Sequence, residues 1–326
     1  MSSTLRSVAL ACICSLLVAS CGGGGSTNGG NTTELAPLTA QNAETMAGVV
    51  VRQILNDNVI GTIGTPGIPF VSLGPDAGEQ LLSLASRPAA AGTLAASVNM
   101  ENCAVSGTID VTISVANPLT LSPGDEFGFE FAQCDDGSGV VVDGGFVMSV
   151  TDFDGDLQAG QYLLGLSLAL DAFTITQNGQ SSGASGTIAF TIDTRTPQVT
   201  TLTLSTSLLT TTAAGTAETV NNLSITITED ESVFPTAVSV QTSFRLSSPQ
   251  LGGDVQVSTS VALQRSGDEF PFAGEIEIRG AANATITVIA LDANTARLEI
   301  DLDGDGATDE TRDVTWSDLL AAANAA

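Results

Sequence analysis

From about Val98 to Leu302 the chain carries run after run in which apolar side chains recur at every second residue, and that spacing decides what kind of fold the chain can make. Ile109, Val111, Ile113 and Val115 are separated by Asp110, Thr112 and Ser114, Ile188, Phe190 and Ile192 by Ala189 and Thr191, and Leu223, Ile225 and Ile227 by Ser224 and Thr226. The runs Val255-x-Val257-x-Thr259-x-Val261, Ile276-x-Ile278 and Leu298-x-Ile300-x-Leu302 repeat the pattern. Successive strand residues point to opposite faces, so each run carries one apolar face and one face of Thr, Ser and acids. Turn signals at Pro123-Gly124-Asp125, Asp135-Asp136-Gly137, Asp143-Gly144-Gly145, Asn178-Gly179, Gly252-Gly253 and Ser266-Gly267-Asp268 separate the runs. With no amphipathic helix between them, roughly eleven or twelve strands must join through hairpins rather than crossovers. The expectation is a mainly β fold: a large antiparallel meander over 98–326, either an open sheet or a sandwich, with a short N-terminal helical segment.

That helical segment lies within 37–97, which packs on the sheet. Over Leu38 to Leu55, Ala43, Met46, Ala47, Val50, Val51 and Ile54 recur at three and four, with Thr39 placed to cap the start. The stretch from Gly61 to Pro75 reads as loop, and a second, weaker helix is expected over Ala77 to Ser86. Pro88 to Ala96 reads either as linker or as frayed helix.

Before residue 37 the pattern is of another kind. An Arg6-bearing start leads into the apolar run Val8 to Val18, which has signal-peptide length and is too short to span a bilayer. Ala19-Ser20-Cys21 follows, and then a stretch to residue 36 rich in Gly, Ser, Asn and Thr. The segment 1–20 is read as a signal peptide and 21–36 as a flexible tether. The small residues before the cysteine resemble a bacterial lipobox. The resemblance implies that Cys21 is acylated, becomes the mature N-terminus and attaches the chain to a membrane. Gly22, with no Asp after the cysteine, resembles the sorting pattern of outer-membrane lipoproteins, so the expected address is the outer membrane, facing the periplasm or the cell surface.

Charge narrows the chemistry. The chain has 36 acidic residues against nine basic ones, a net charge of −27, and no histidine. Every basic residue is arginine, so Ser-His-Asp and Cys-His systems, His-ligated zinc and Lys Schiff bases are excluded. Gly179-Gln180-Ser181-Ser182-Gly183 matches a nucleophile-elbow pattern, but with no histidine to activate Ser181 it reads as a loop. An acidic surface repels nucleic acid and anionic headgroups and attracts cations. Cys12 and Cys14 leave with the signal, so Cys103 and Cys134 remain as a pair, expected to form a disulfide in an oxidising compartment. One Trp and one Tyr are too few for the aromatic girdles of a membrane-crossing barrel.

One stretch carries ligand chemistry. Asp301-Leu302-Asp303-Gly304-Asp305-Gly306-Ala307-Thr308-Asp309-Glu310 places oxygen donors at alternate positions, with glycines for a tight turn. A hard cation needs this arrangement. The stretch resembles the loop of EF-hands and, more closely, the Asp-rich loops of dockerins and thrombospondin type 3 repeats. The resemblance implies calcium bound by the side chains of Asp301, Asp303, Asp305 and Asp309 and the carbonyl of Ala307. The twelfth position, an acid in EF-hands, is Arg312 here; Glu310 or Asp313 would have to substitute. Alternatively the stretch is an acidic hairpin without an ion. A fainter copy, Asp152-Phe153-Asp154-Gly155-Asp156, reads as a polar hairpin tip.

These features point first to a lipid-anchored envelope protein with a calcium-stabilised β domain and no catalytic role, whose protein or ligand partner they do not specify. A second reading is a periplasmic carrier of apolar ligand, with Leu38 to Leu55 plugging an open sheet. A third is a carboxylate-based glycoside hydrolase, disfavoured because sugar-stacking aromatics are nearly absent.

Overall fold

In the computed structural model the residues described are 34–55, 97–117, 119–135, 137, 139–213, 215–266 and 270–325. The expected signal, Cys21 and most of the expected tether lie outside them, as does the expected helix over Ala77 to Ser86.

The alternating segments form one sheet of fourteen strands in chain order, each paired antiparallel with its sequence neighbours. The strands are β1 (Ser97–Asn102), β2 (Ser106–Ser114), β3 (Glu126–Asp135), β4 (Val140–Asp156), β5 (Gln161–Gln177), β6 (Gln180–Asp193) and β7 (Val199–Ala213). They continue as β8 (Thr216–Asp230), β9 (Ala237–Ser248), β10 (Gly253–Ser266), β11 (Ala273–Arg279), β12 (Thr285–Ala290), β13 (Thr295–Asp301) and β14 (Glu310–Thr315). The sheet is open, with β1 and β14 as its edges, and is not divided into a sandwich. The register carries the apolar face from strand to strand: Val111 lies opposite Phe129, Phe129 opposite Phe146 and Phe146 opposite Leu170. Farther along, Ile278 faces Ile286 and Ile286 faces Ile300. All are buried in one continuous core.

Strict alternation fails where the long strands bulge. On β5 the buried residues include Tyr162, Leu164, Leu166, Leu168 and Leu170, then Phe173, with the register shift at Ala172 (φ 46°). β8 shifts in the same way at Asn222 (φ 51°), between buried Val220 and Leu223. Each bulge adds one residue, re-aims the side chains beyond it and bends the strand.

The N-terminal helix starts later than expected: α1 spans Ala43–Leu55. Thr39 and Asn42 exchange hydrogen bonds, the Thr39 N–H donating to Asn42 Oδ1 (2.8 Å) and the Asn42 N–H to Thr39 Oγ1 (3.2 Å). That reciprocal turn holds residues 39–42 out of the helix. A second helix, α2 (Trp316–Ala325), ends the described chain, where the sequence patterns above predict no helix. Its cap is a Thr-x-x-Asp box: Thr315 Oγ1 accepts from the Asp318 N–H (3.0 Å) and bonds its carboxylate (2.7 Å). α1 and α2 pack backbone against backbone at Gly48, where any Cβ would run into the Leu319 carbonyl.

Ahead of α1, residues 34–38 are strapped to one end of the sheet. Ala36 N–H donates to the Asp254 carbonyl (2.7 Å), and Ala281 N–H donates to the Ala36 carbonyl (2.8 Å). The buried Asp254 carboxylate is paired there with Arg245 Nε at 2.6 Å.

Candidate metal centre

On β13, Ala296, Leu298 and Ile300 face the core while Arg297, Glu299 and Asp301 share the other face. Asp301 is nevertheless only 8% exposed, because the following loop folds back over it. Its two carboxylate oxygens accept the Gly304 N–H (2.7 Å) and the Gly306 N–H (2.9 Å). Both glycines have left-handed backbone, φ 73° and 87°. At Gly304 a Cβ would also run into the Ala282 carbonyl, so glycine is required there for conformation and for space.

At the far side of the loop, Asp309 donates its N–H to the Ile300 carbonyl (2.8 Å) and accepts the Leu302 N–H on Oδ2 (2.8 Å). The loop is thereby closed onto the β13–β14 hairpin. Asp301, Asp303 and Asp309 each bring a carboxylate oxygen within 4.8 Å of the others, and this group could hold a metal ion. Asp305 is not part of that group; its Oδ1 accepts the Ala307 N–H at 2.7 Å. Glu310 and Asp313, the two candidates for the missing twelfth-position acid, are both engaged elsewhere. Arg312 Nε takes Glu310 at 2.6 Å, and Arg297 Nε takes Asp313 at 2.8 Å.

The arginine in that position has a structural task. Arg312 also reaches Glu44 of α1 (3.1 Å) and the Ala40 carbonyl (2.7 Å), tying the last strand to the first helix. Three carboxylates with no imidazole or thiolate among them form a hard-oxygen donor set, which fits a hard divalent cation. Beside the loop, a polar groove runs over the outer face of β11–β13, lined by Glu277, Arg279, Thr285, Thr287 and Glu299.

The other motifs resolve into structure. Ser181 stands at the start of β6, paired across the Asn178-Gly179 turn with Thr176 at 2.7 Å. In the fainter acidic copy, Asp156 caps its turn through the Gln158 N–H (2.8 Å) and Asp154 pairs with Arg195 (3.2 Å), so it is a polar hairpin end. Asp125, read as a turn residue, is a buried anchor: its carboxylate accepts the Ala116 and Ser122 N–H groups, both at 2.8 Å. The Cys103–Cys134 disulfide is present, with Cα atoms 5.5 Å apart.

No protein-family model, curated protein or solved structure matches the chain. Among the described residues no helix is long and apolar enough to cross a membrane, which says nothing of strands.

The exposed ion pairs add a small, salt-screened contribution to stability that acid removes. Side-chain hydrogen bonds from Arg297 hold Asp313 below the ordinary carboxylate range, those from Arg312 do the same for Glu310, and those from Arg195 for Asp193. A group with a depressed folded pKa stabilises the fold above its unfolded pKa, about 4, and that contribution is lost as pH falls through the folded value. The thermal midpoint at moderate salt is therefore expected to hold down to about pH 5 and to fall below about pH 4. A midpoint that kept rising to about pH 2, as relief of self-repulsion alone would give, contradicts this assignment.

Proposed function

We propose that this is a lipid-anchored protein of the bacterial cell envelope, attached through Cys21, whose β domain is stabilised by calcium and serves a binding or structural role rather than catalysis. The observation that carries the reading is the convergence of the Asp301, Asp303 and Asp309 carboxylates at the closure of the last hairpin. A cation there would relieve their mutual repulsion and fix β14, which holds α1 through Arg312 and leads into α2. A disulfide and the resemblance of residues 18–21 to a lipobox fit an oxidising compartment. With three carboxylates and no acid at the twelfth position, the expected affinity is in the weak extracellular range, on the order of 10⁻⁴ M.

Calcium at about one hundred times that dissociation constant is expected to stabilise the fold by about 2.7 kcal/mol. For a chain of this size the thermal midpoint then rises by about 5 °C over the chelated protein. Asp301→Asn is expected to remove the calcium increment. An unchanged midpoint in wild type removes the cation reading. Retention of a Cys21→Ser variant in the membrane fraction removes the lipid anchor.

A further inference from the structure

Antiparallel neighbours reverse at each hairpin, so the β8–β9, β10–β11 and β12–β13 connections all lie at one end of the sheet. The N-terminal strap is at the other end, beside the start of β10 and the β11–β12 connection. Those three same-end connections each expose a large apolar side chain: Phe234 is 100% exposed, Phe272 44% and Leu291 41%. Neighbouring strands are about 4.8 Å apart, which spaces successive same-end hairpins by roughly 10 Å. Two of the three connections are braced from behind, since Phe270 stacks on the buried Trp316 and the Trp316 indole N–H bonds the Asp292 carbonyl at 3.1 Å. Single exposed apolar side chains are ordinary, but large ones on successive hairpins at one end of a sheet mark a contact surface.

We infer that this end of the sheet docks a partner protein whose contact surface is apolar and basic. The acids between the apolar tips choose the partner. Asp230 and Glu231 flank the Phe234 loop, and Asp292 adjoins Leu291. Asp230 is held by the Ser232 N–H (2.9 Å) and Asp292 by the Asn294 and Thr295 N–H groups (both 2.8 Å), so these carboxylates are fixed in place. Three arginines lie at this end: Arg195 is paired with Asp193, Arg297 with Asp313, and Arg265 near the end of β10 has its Nε buried. An apolar row set in fixed negative charge repels an anionic bilayer, and it repels a second copy of a chain of net charge −27. A surface combining Leu or Phe with Lys or Arg satisfies both features. The inference is independent of whether Cys21 carries lipid.

The test uses the full chain carrying Cys21→Ser, so that acyl chains play no part, and a fluorescent amphipathic peptide of leucine and lysine as probe. Anisotropy is expected to show saturable binding that weakens about tenfold or more in Phe234→Ser/Phe272→Ser/Leu291→Ser. A lysine–serine peptide of equal charge should bind both forms alike. Phe234→Ser alone, at a side chain with no packing to lose, should give part of the loss with an unchanged melting curve. Equal binding of the leucine–lysine peptide to wild type and triple variant would overturn the proposal. So would recruitment of wild type, but not the triple variant, to phosphatidylcholine vesicles, or a wild-type dimer that the triple variant dissolves.

Discussion

Trp316→Ala is expected to lower the unfolding free energy by about 3–5 kcal/mol, the range for truncating a large buried aromatic. Trp316 is 1% exposed and is the chain's one tryptophan. Its ring stacks on Phe270 with centroids 6.2 Å apart, and its indole N–H is satisfied by the Asp292 carbonyl. Its backbone N–H also bonds the Asn294 carbonyl at 3.0 Å, so the residue fixes the start of α2 to the β12–β13 connection. Truncation leaves a cavity and also loosens the helix that supplies Leu319 and Ala323 to the core against α1. Trp316→Phe separates the two contributions. It keeps most of the apolar area and loses the N–H bond, so it should cost roughly 1–2 kcal/mol. Denaturant unfolding followed by circular dichroism measures both without relying on the removed fluorophore. A loss of under about 1 kcal/mol for the alanine variant would mean that α2 is not part of the cooperative unit.

That helix shows where reading the chain unaided stops. Strands such as β11, β12 and β13 are legible because every second residue is Ile, Val or Leu with Thr, Glu or Arg between, and period two has a single structural meaning. α2 is hidden because its Ala-rich span has little periodicity; its readable signal is Thr315 with Asp318 just ahead of Leu319 and Leu320. The bulges are hidden for a different reason. A reader holding strict alternation from Leu170 puts Phe173 on the wrong face, and only left-handed backbone at Ala172 restores it to the core.

The acidic loop was largely legible because its interactions are local: Asp301 bonds residues three and five positions on. Which acids converge was not legible, since that depends on how the loop closes. Nor was the use of Arg312, whose partners Glu44 and Ala40 lie 268 and 272 residues away in sequence. The burial of Asp254 with Arg245 likewise follows from the strap and not from any local pattern.

Removing the disulfide with Cys103→Ser/Cys134→Ser is expected to cost about 3–4 kcal/mol, from closure of a loop of 31 residues in the unfolded chain. The bond joins the segment after β1 to β3, bracketing the edge of the sheet. Among the described residues β1 pairs only with β2, so without the cross-link the edge is held there by one ladder and by the Cys103 N–H to Gly107 carbonyl bond (3.1 Å). Two effects can be told apart. If the cross-link acts on the unfolded chain, the double variant shows a lower midpoint and a steeper denaturant dependence, because its unfolded state exposes more surface. If it acts only by holding the edge, the global midpoint stays put while β1 amides lose protection from hydrogen exchange. The first result is expected, because loop-closure entropy acts on the whole cooperative unit, whereas fraying of β1 exposes only a terminal strand. A global loss of under about 1 kcal/mol, with loss of protection confined to β1, would assign the bond to the edge alone.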